Sequence, residues 1–303
     1  MRLRTGIPLL SELEAHLSGD DFRRHVEFNR DFLAGNDAAM DKYGKLWAKD
    51  TFRLWSRRWE YPFVAERIIA HAQQSLTQPS NVQHSEAKSA SDEPYRVLDA
   101  GSGVTYFPYY LCREIGQRCE VTCFDSNPTY HAMFAQIHAN EANAAARKVK
   151  FVEGMLQKMP FEANQFDAVC CISVLEHTSN YSEILDEFNR VLKPGGVLVI
   201  TFDLSLDGRF ELPRDTAEKL LRELAQKFDL PEQSASFMEE LKRMESPEQS
   251  GILTTDYIRK TQPDLLPWKF PMAKAVKDLA QGHGWTGGFR SKSVYCVDVV
   301  AKA

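Results

Sequence analysis

The residues best suited to chemistry lie in the segment VLDAGSGVTY at 97–106, where an apolar run leads into two glycines. Gly101 and Gly103 allow the backbone to turn sharply and to approach a ligand, because no Cβ atom stands in the way. The next segment, FPYYLCREI, has a helical pattern, and the first turn of a helix presents unpaired N–H groups. The pattern therefore indicates a strand–turn–helix junction that suits a nucleotide-like ligand. The GxG motif taken alone has a second interpretation, a strand–turn–helix junction that binds no ligand.

Two aspartates near this junction narrow the class of ligand. Asp125 ends the second apolar run, where an acid in a Rossmann-like sheet binds ribose hydroxyls. Asp99 stands two residues before Gly101, at a position that is normally apolar in NAD-binding sequences, and Tyr106 replaces the third glycine of GxGxxG. These departures weigh against a dinucleotide. An oxidoreductase that uses NAD(P) therefore remains as an alternative.

The elements that position these residues are β-rich apolar runs alternating with helical patterns. Such runs are typical of parallel strands that are buried on both faces of a sheet. Their alternation with helices predicts an α/β fold with a Rossmann-like doubly wound sheet. The strands are predicted at 95–100, 119–125, 149–154, 166–173 and 196–203, with a closing strand at 291–303.

Three further segments complete the predicted domain organisation. Residues 1–71 have helical patterns and many aromatic side chains, and residues 72–94 are polar and serine-rich, which predicts a flexible linker. Residues 95–303 form the main domain. A helical insert is predicted at about 204–271, and its segment 214–229 has the spacing of an amphipathic helix.

Composition limits the partners that the chain can have. Of the 303 residues, 43% are apolar and 26% are charged, with a net charge of −5. Proteins that bind nucleic acid through its phosphates usually carry an excess of basic residues, so nucleic acid is not predicted as a partner. No apolar run approaches the roughly 18 residues that span a bilayer, so we expect a cytoplasmic protein without a membrane partner. The six cysteines form no CxxC pair and are expected to be reduced and packed.

The sequence resembles a family, the class I S-adenosylmethionine (SAM)-dependent methyltransferases, and within that family it is most similar to the small-molecule group. The resemblance covers about residues 95–203 and rests on VLDAGSG, CFDSNP, FVEGMLQKMPFEANQFDAV, ISVLEH and EFNRVLKPGGVLVIT in that order. It implies that residues 95–303 are a SAM-binding domain and that residues 1–71 could fold over the cofactor as a lid. The implied cofactor residues are Asp99, Gly101 and Gly103 at the methionine half, Asp125 and Ser126 at the ribose, Gly154, Met155 and Leu156 at the adenine, and Ser173 and Val174 above the cofactor.

The chemistry of methyl transfer asks mainly for positioning, because the sulfonium is already activated. A general base is needed when the acceptor is an alcohol or a phenol. His177, which follows the fourth strand, is the first candidate, and Asp203, at the predicted end of the fifth strand, is the second. The sequence does not assemble a set of clustered carboxylates, so no metal is predicted.

The acceptor pocket is expected to come from the segments added to the sheet. Arg57 and Glu60 are pocket candidates, and the aromatic candidates are Trp55, Trp59, Tyr61, Tyr106 and Tyr181. The alternative is that the aromatic side chains only pack helices onto the sheet. The predicted function is methyl transfer to a small molecule at oxygen. The alternatives are transfer to nitrogen or to a peptide or protein, and an inactive methyltransferase-like binding protein. The aromatic N-terminal region could also form a homodimer contact.

Overall fold

The fold is seen in a computed structural model that describes residues 2–77, 93–139, 148–208, 211–230, 236–266, 276, 279–280 and 290–302. Within these residues one sheet contains seven strands: β1 (Tyr95–Ala100), β2 (Cys119–Asp125), β3 (Val149–Glu153), β4 (Phe166–Ile172), β5 (Leu192–Ser205), β6 (Phe228–Asp229) and β7 (Lys292–Ala301). Their order is β3-β2-β1-β4-β5-β7-β6. Strands β1 to β5 are parallel, and β7 runs antiparallel to both β5 and β6. The predicted Rossmann-like α/β fold is confirmed.

The helices flank the sheet in chain order. The N-terminal region contributes α1 (Leu10–Ser18), α2 (Asp20–Gly35), α3 (Asp37–Gly44) and α4 (Arg57–Thr77), and the strand connections contain α5 (Phe107–Ile115), α6 (Tyr130–His138) and α7 (Tyr181–Val191). Between β5 and β7 lie α8 (Arg214–Lys227), α9 (Phe237–Lys242), α10 (Pro247–Ser250) and α11 (Thr255–Thr261). In the part of the chain that the structure describes, no helix has the length and apolar character that a membrane span requires.

Alternate residues of the central strands enter two different cores. Val97 and Cys170 face the core that contains α4 and α5, whereas Leu98 and Val169 face the core that contains α7 and α8. Successive side chains of a strand point to opposite faces of the sheet, so a strand covered on both faces is apolar at every position. This explains why the strands are readable as continuous apolar runs.

The N-terminal helices pack directly onto the sheet. Phe22, Trp59 and Phe63 belong to the same hydrophobic core as the strand residue Val97. Helix α4 continues to Thr77, six residues into the segment that was expected to be a linker from residue 72. Ala72 is buried, which explains why the helix does not stop at the polar boundary. Residues 78–92, the centre of the expected linker, lie outside the described residues.

The insert after β5 differs from the sequence prediction at one helix end. The helix predicted at 214–229 ends at Lys227, and Phe228 and Asp229 form β6 by pairing with Ala301 and Val300 of β7. Phe228 is buried, so its apolar side chain, which completes the helical pattern in the sequence, is satisfied in the sheet instead. The strand pairing therefore overrides the helical periodicity at this point.

Candidate functional site

A cavity of about 670 Å³ opens at the carboxyl ends of β1, β2, β3 and β4. This is the edge at which open α/β sheets bind ligands, and the volume is typical of a small-molecule site. The cavity brings together predicted residues from all four strand ends. Those that line it are Gly101, Gly103, Asp125, Ser126, Gly154, Met155, Leu156, Ser173, Val174 and His177.

Asp125, at the end of β2, is fixed by backbone groups. Its Oδ2 atom accepts a hydrogen bond from the N–H of Gly103 at 3.0 Å, and its Oδ1 atom accepts one from the N–H of Asn127 at 3.1 Å. Each carboxylate oxygen can accept a second hydrogen bond. The carboxylate is therefore oriented at the cavity wall and retains the capacity to accept the hydroxyl groups of a ribose.

The glycines of the loop after β1 are required by the protein's own packing. Gly101 has a φ of +75° and Gly103 a φ of +55°, which is left-handed backbone that favours glycine. A Cβ atom at Gly101 would lie 2.4 Å from Cγ2 of Val174, and one at Gly103 would lie 2.4 Å from the hydroxyl oxygen of Tyr43. Glycine at both positions therefore lets the loop keep this shape beside the cavity, whereas a larger residue would have to displace Val174 or Tyr43.

Asp99 is the one predicted cofactor residue that does not line the cavity. Its side chain is buried beneath the loop, with Oδ1 at 3.6 Å from Sγ of Cys170. Burial raises the pKa of Asp99 to about 7. The position before the loop is thus part of the sheet interior.

His177 ends the short 3-10 turn Leu175–His177 after β4, and its imidazole lines the cavity. Partial burial lowers the pKa of His177, although the nearby carboxyl groups of Glu211 and Asp203 act in the opposite direction. At neutral pH the ring is therefore mostly uncharged and can accept a proton.

Asp203, the second candidate base, does not line the cavity. The prediction placed it at the end of the fifth strand, but β5 continues to Ser205 and pairs there with Lys292 of β7. Asp203 is buried and forms an ion pair with the Lys292 ammonium group. Burial raises the pKa of Asp203, and Lys292 opposes this effect. The carboxylate thus serves the β5–β7 contact rather than the cavity wall.

The structure also separates the predicted acceptor residues. Tyr61 lines the cavity, but Trp55, Trp59, Tyr106 and Tyr181 do not. Trp55 and Trp59 are buried in the core, where the Trp59 ring packs edge-on against His16 with centroids 4.9 Å apart. The phenol of Tyr106 is hydrogen-bonded to Nδ1 of His25 at 2.8 Å. Tyr181 begins α7 and packs against the second core. Helix packing explains the placement of these four side chains.

Several cavity residues carried no recognisable signal in the sequence. They come mostly from the N-terminal region and from the turn after His177: Tyr43, Trp47, Thr51, Leu54, Thr178, Ser179 and Asn180. Among the residues that the structure describes, Trp47 has the most exposed large apolar side chain, at 60%. An aromatic side chain in a short polar segment is the only signal that marks it, and the same signal also marks Trp55 and Trp59, which are core residues.

Arg57 and Glu60, both on α4, connect the N-terminal region with the sheet. Arg57 lines the cavity, whereas Glu60 is fully buried behind it. The Oε1 atom of Glu60 accepts hydrogen bonds from the hydroxyls of Ser173 and Thr201, each at 2.6 Å. Burial alone would raise the pKa of Glu60, but Arg57 and the two hydroxyls outweigh it and hold that pKa below its ordinary value. The carboxylate is thus charged and fully paired.

Comparison with known proteins agrees with this geometry. Residues 98–200 match the family model of a methyltransferase domain. The glycine/sarcosine/dimethylglycine N-methyltransferase of Actinopolyspora halophila is 24% identical over 194 residues, which are 63% of this chain and 33% of that protein. The sterol 24-C-methyltransferase ERG6B of Gibberella zeae is 38% identical over 102 residues, 34% of this chain and 26% of that protein. The sterol 24-C-methyltransferase erg6 of Aspergillus fumigatus is 24% identical over 312 aligned positions, 90% of this chain and 80% of that protein.

The matched segment contains the ends of β1 to β4 and the loops after them that line the cavity. The chain therefore contains a methyltransferase domain, in agreement with its resemblance to the class I SAM-dependent methyltransferases. It spans only about a third and a quarter of the length of the first two relatives. The relatives named here differ in the atom that their names give as methylated, nitrogen in one case and carbon in the others.

Proposed function

We propose that this protein transfers the methyl group of SAM to an oxygen atom of a small-molecule acceptor. The observation that carries the proposal is the single cavity in which Asp125, the loop of Gly101 and Gly103, and His177 come together. When bound, SAM supplies a methyl group on a positively charged sulfur, which is ready for displacement by a nucleophile. The residues of the chain then have to bind SAM and the acceptor, orient the two molecules, and remove the proton from the acceptor hydroxyl.

Most of the predicted cofactor residues are each assigned to one part of SAM in this proposal. Asp125 accepts hydrogen bonds from the ribose hydroxyls, and Ser126 lies beside it. Met155 and Leu156 pack against the adenine ring. Met155 is 57% exposed, and a cofactor in the cavity covers it. The Gly101–Gly103 loop and Ser173 border the methionine end. Asp99, beneath the loop, supports that end from inside the sheet.

His177 acts as the general base. Its mostly uncharged imidazole lies on the cavity wall after β4 and takes the proton that a hydroxyl acceptor must lose. A base in this position contributes typically about 10²- to 10⁴-fold to the rate of such a reaction. Tyr61 and Arg57, from α4, border the space that the acceptor occupies.

Nitrogen is the second candidate for the atom that is methylated. The alignment with the glycine/sarcosine/dimethylglycine N-methyltransferase favours it, since it extends over 63% of this chain. An uncharged amine already has a free lone pair, so its methylation depends less on a base. The two candidates therefore differ in the effect that a change at His177 should have.

The test is a screen with SAM carrying a ¹³C-labelled methyl group and pools of phenols, alcohols, carboxylic acids, amines and sterols. Nuclear magnetic resonance of the product identifies the labelled atom's neighbour. We expect an O-methyl product and a loss of about 10²-fold or more in kcat for His177→Gln. The matched control is His131→Gln, an exposed histidine on α6 that lies outside the cavity, and its activity should be unchanged. An N-methyl product with little effect of His177→Gln would instead support the second candidate.

A further inference from the structure

The strongest unexplained feature beside the cavity is the buried carboxylate of Glu60. Its Oε2 atom accepts a hydrogen bond from Nη1 of Arg57 at 2.5 Å, and its Oε1 atom binds the two hydroxyls of Ser173 and Thr201. A buried charge is costly unless it is paired and hydrogen-bonded. An anchor for α4 could be built from apolar contacts at lower cost. The network is therefore better explained by its effect on Arg57, whose guanidinium it holds in a fixed position.

Ser173 holds the other side of the Arg57 guanidinium. Its hydroxyl oxygen accepts a hydrogen bond from Nη1 of Arg57 while the hydroxyl donates to Glu60. Ser173 has a φ of +49°, which is unfavourable for a residue that is not glycine. Strained backbone of this kind is concentrated at ligand sites. Glu60 and Ser173 thus fix one nitrogen of the guanidinium.

The side chain of Arg57 lines the cavity. Among the described residues, Nη2 and Nε of Arg57 have no hydrogen-bond partner in the protein, and the side chain is 19% exposed. An arginine has five N–H donors in a planar fork, so several remain available for a ligand. A fixed fork of this kind is the group that binds carboxylates with two parallel hydrogen bonds.

The charges around the cavity also point to an anion at this place. Within the described ranges, Arg57 is the only lysine or arginine that lines the cavity, and Asp125 is the only acid. The buried acids behind Arg57 do not compete for it. Asp203 is paired with Lys292, and burial raises the pKa of Glu176 well above its ordinary value, which favours its neutral form.

We propose that Arg57 binds a carboxylate inside the cavity, and that Glu60, Ser173 and Thr201 are positioning residues that fix its guanidinium for this purpose. The inference rests on the proposed function, because that function supplies the two sources of a carboxylate. One is the methionine part of SAM, and the other is an acidic acceptor.

The experiment measures binding by calorimetry with three ligands. S-adenosylhomocysteine contains the carboxylate, 5′-methylthioadenosine has the same nucleoside without the amino-acid group, and benzoate is added to protein saturated with S-adenosylhomocysteine. The variants are Arg57→Lys, which keeps the charge opposite Glu60 but lacks the fork, and Arg57→Met, which removes both. Arg53→Met is the matched control, because this arginine is exposed and outside the cavity. Thermal unfolding checks that each variant is folded. If Arg57→Met does not fold, Arg57→Lys alone tests the proposal.

Two results support the proposal, and they identify the source. A loss of about tenfold or more for S-adenosylhomocysteine in Arg57→Lys, with unchanged binding of 5′-methylthioadenosine, assigns Arg57 to the cofactor carboxylate. A similar loss for benzoate alone assigns it to the acceptor.

The proposal is overturned if no affinity differs by more than about twofold from the wild type, or if both nucleosides weaken equally. Absence of benzoate binding to the wild-type protein, together with unchanged S-adenosylhomocysteine binding in the variants, also overturns it. Wild-type protein that binds neither nucleoside would overturn the proposed function and this inference with it.

Discussion

The two sides of the cavity are built in different ways. On the strand-end side, Gly101 directly follows β1 and Gly154 directly follows β3, and Asp125, the last residue of β2, is held by backbone N–H groups. On the α4 side, Glu60 reaches Ser173 and Thr201, which are 113 and 141 positions away in the sequence, through hydrogen bonds between side chains. The first side depends on local backbone shape, and the second depends on long-range pairing of specific side chains.

This difference decides what a substitution should do. On the strand-end side, a change of side chain should affect ligand binding or the shape of a single loop. On the α4 side, a change should release a charged partner and loosen the contact between α4 and the sheet. The following predictions test the distinction.

The largest effect is expected at Glu60, on the α4 side. Glu60→Ala leaves the Arg57 charge without its buried partner, and breaking a buried pair in this way costs about 3–5 kcal/mol. The free energy of unfolding, measured by urea denaturation, should fall by about this amount. The control is Glu218→Ala on α8, which removes an exposed ion pair with Arg222 and should cost less than about 1 kcal/mol. Equal losses in the two variants would mean that the network contributes no more than a surface pair.

The second prediction concerns the glycine loop. Gly101→Ala places a Cβ atom against Val174 in addition to forcing a left-handed backbone, so a loss of about 2–4 kcal/mol in unfolding free energy is expected. Gly195 has nearly the same φ, +78° against +75°, but open space around it. Gly195→Ala should therefore lose only the backbone term, about 1 kcal/mol. The difference between the two variants isolates the contact with Val174, and the comparison fails if the two losses are the same.

The sequence predicts where the strands end at the cavity because these signals are local. A strand buried on both faces is apolar along its length, so the positions where β1, β2 and β4 end can be read directly. The glycines and Asp125 stand at those ends. The sequence does not show why residue 101 must be glycine, because the atoms that a Cβ atom would meet there belong to Val174, which follows another strand.

The α4 side of the cavity could not be predicted, for a physical reason. Trp59 and Tyr61 are alike in the sequence, and only the orientation of α4 on the sheet turns Tyr61 toward the cavity and Trp59 into the core. The position of Asp203 was also not predictable from the sequence. Its place on the cavity edge depended on where β5 ends, and pairing with β7 extends that strand to Ser205. Propensity and periodicity contain no information on such pairings.

The third prediction concerns Asp125, on the strand-end side. Asp125→Ala should weaken SAM binding by about 1–3 kcal/mol, because charge-assisted hydrogen bonds to the ribose are lost. Asp125→Asn keeps one oxygen acceptor and should lose less. Calorimetric titration with SAM measures both variants, and thermal unfolding without ligand checks that the loop is intact. Unchanged affinity in Asp125→Ala would contradict the ribose assignment.

The smallest effect concerns the contact between the N-terminal helices and α5. His25 of α2 is buried, stacks on Tyr110 with centroids 3.9 Å apart and is bonded to the Tyr106 hydroxyl. Burial lowers the pKa of His25 to about 3, against 6.5 for the exposed side chain. The unfolded state therefore takes up more protons between these two values, and the stabilising effect is present above pH 6.5 and is lost as the pH falls toward 3.

Unfolding free energies at pH 7.5 and pH 5.5 measure this effect. His25→Gln removes the titrating group but keeps an amide that can bond to Tyr106, so its loss on acidification should be smaller by about 1 kcal/mol than that of the wild type. His131→Gln, at an exposed position on α6, should show the wild-type loss. If His25→Gln also behaves like the wild type, His25 is accessible to protons in the folded protein. The N-terminal helices would then be less firmly attached to the sheet than their shared core indicates, and both sides of the cavity would have to be reconsidered as parts of a mobile contact.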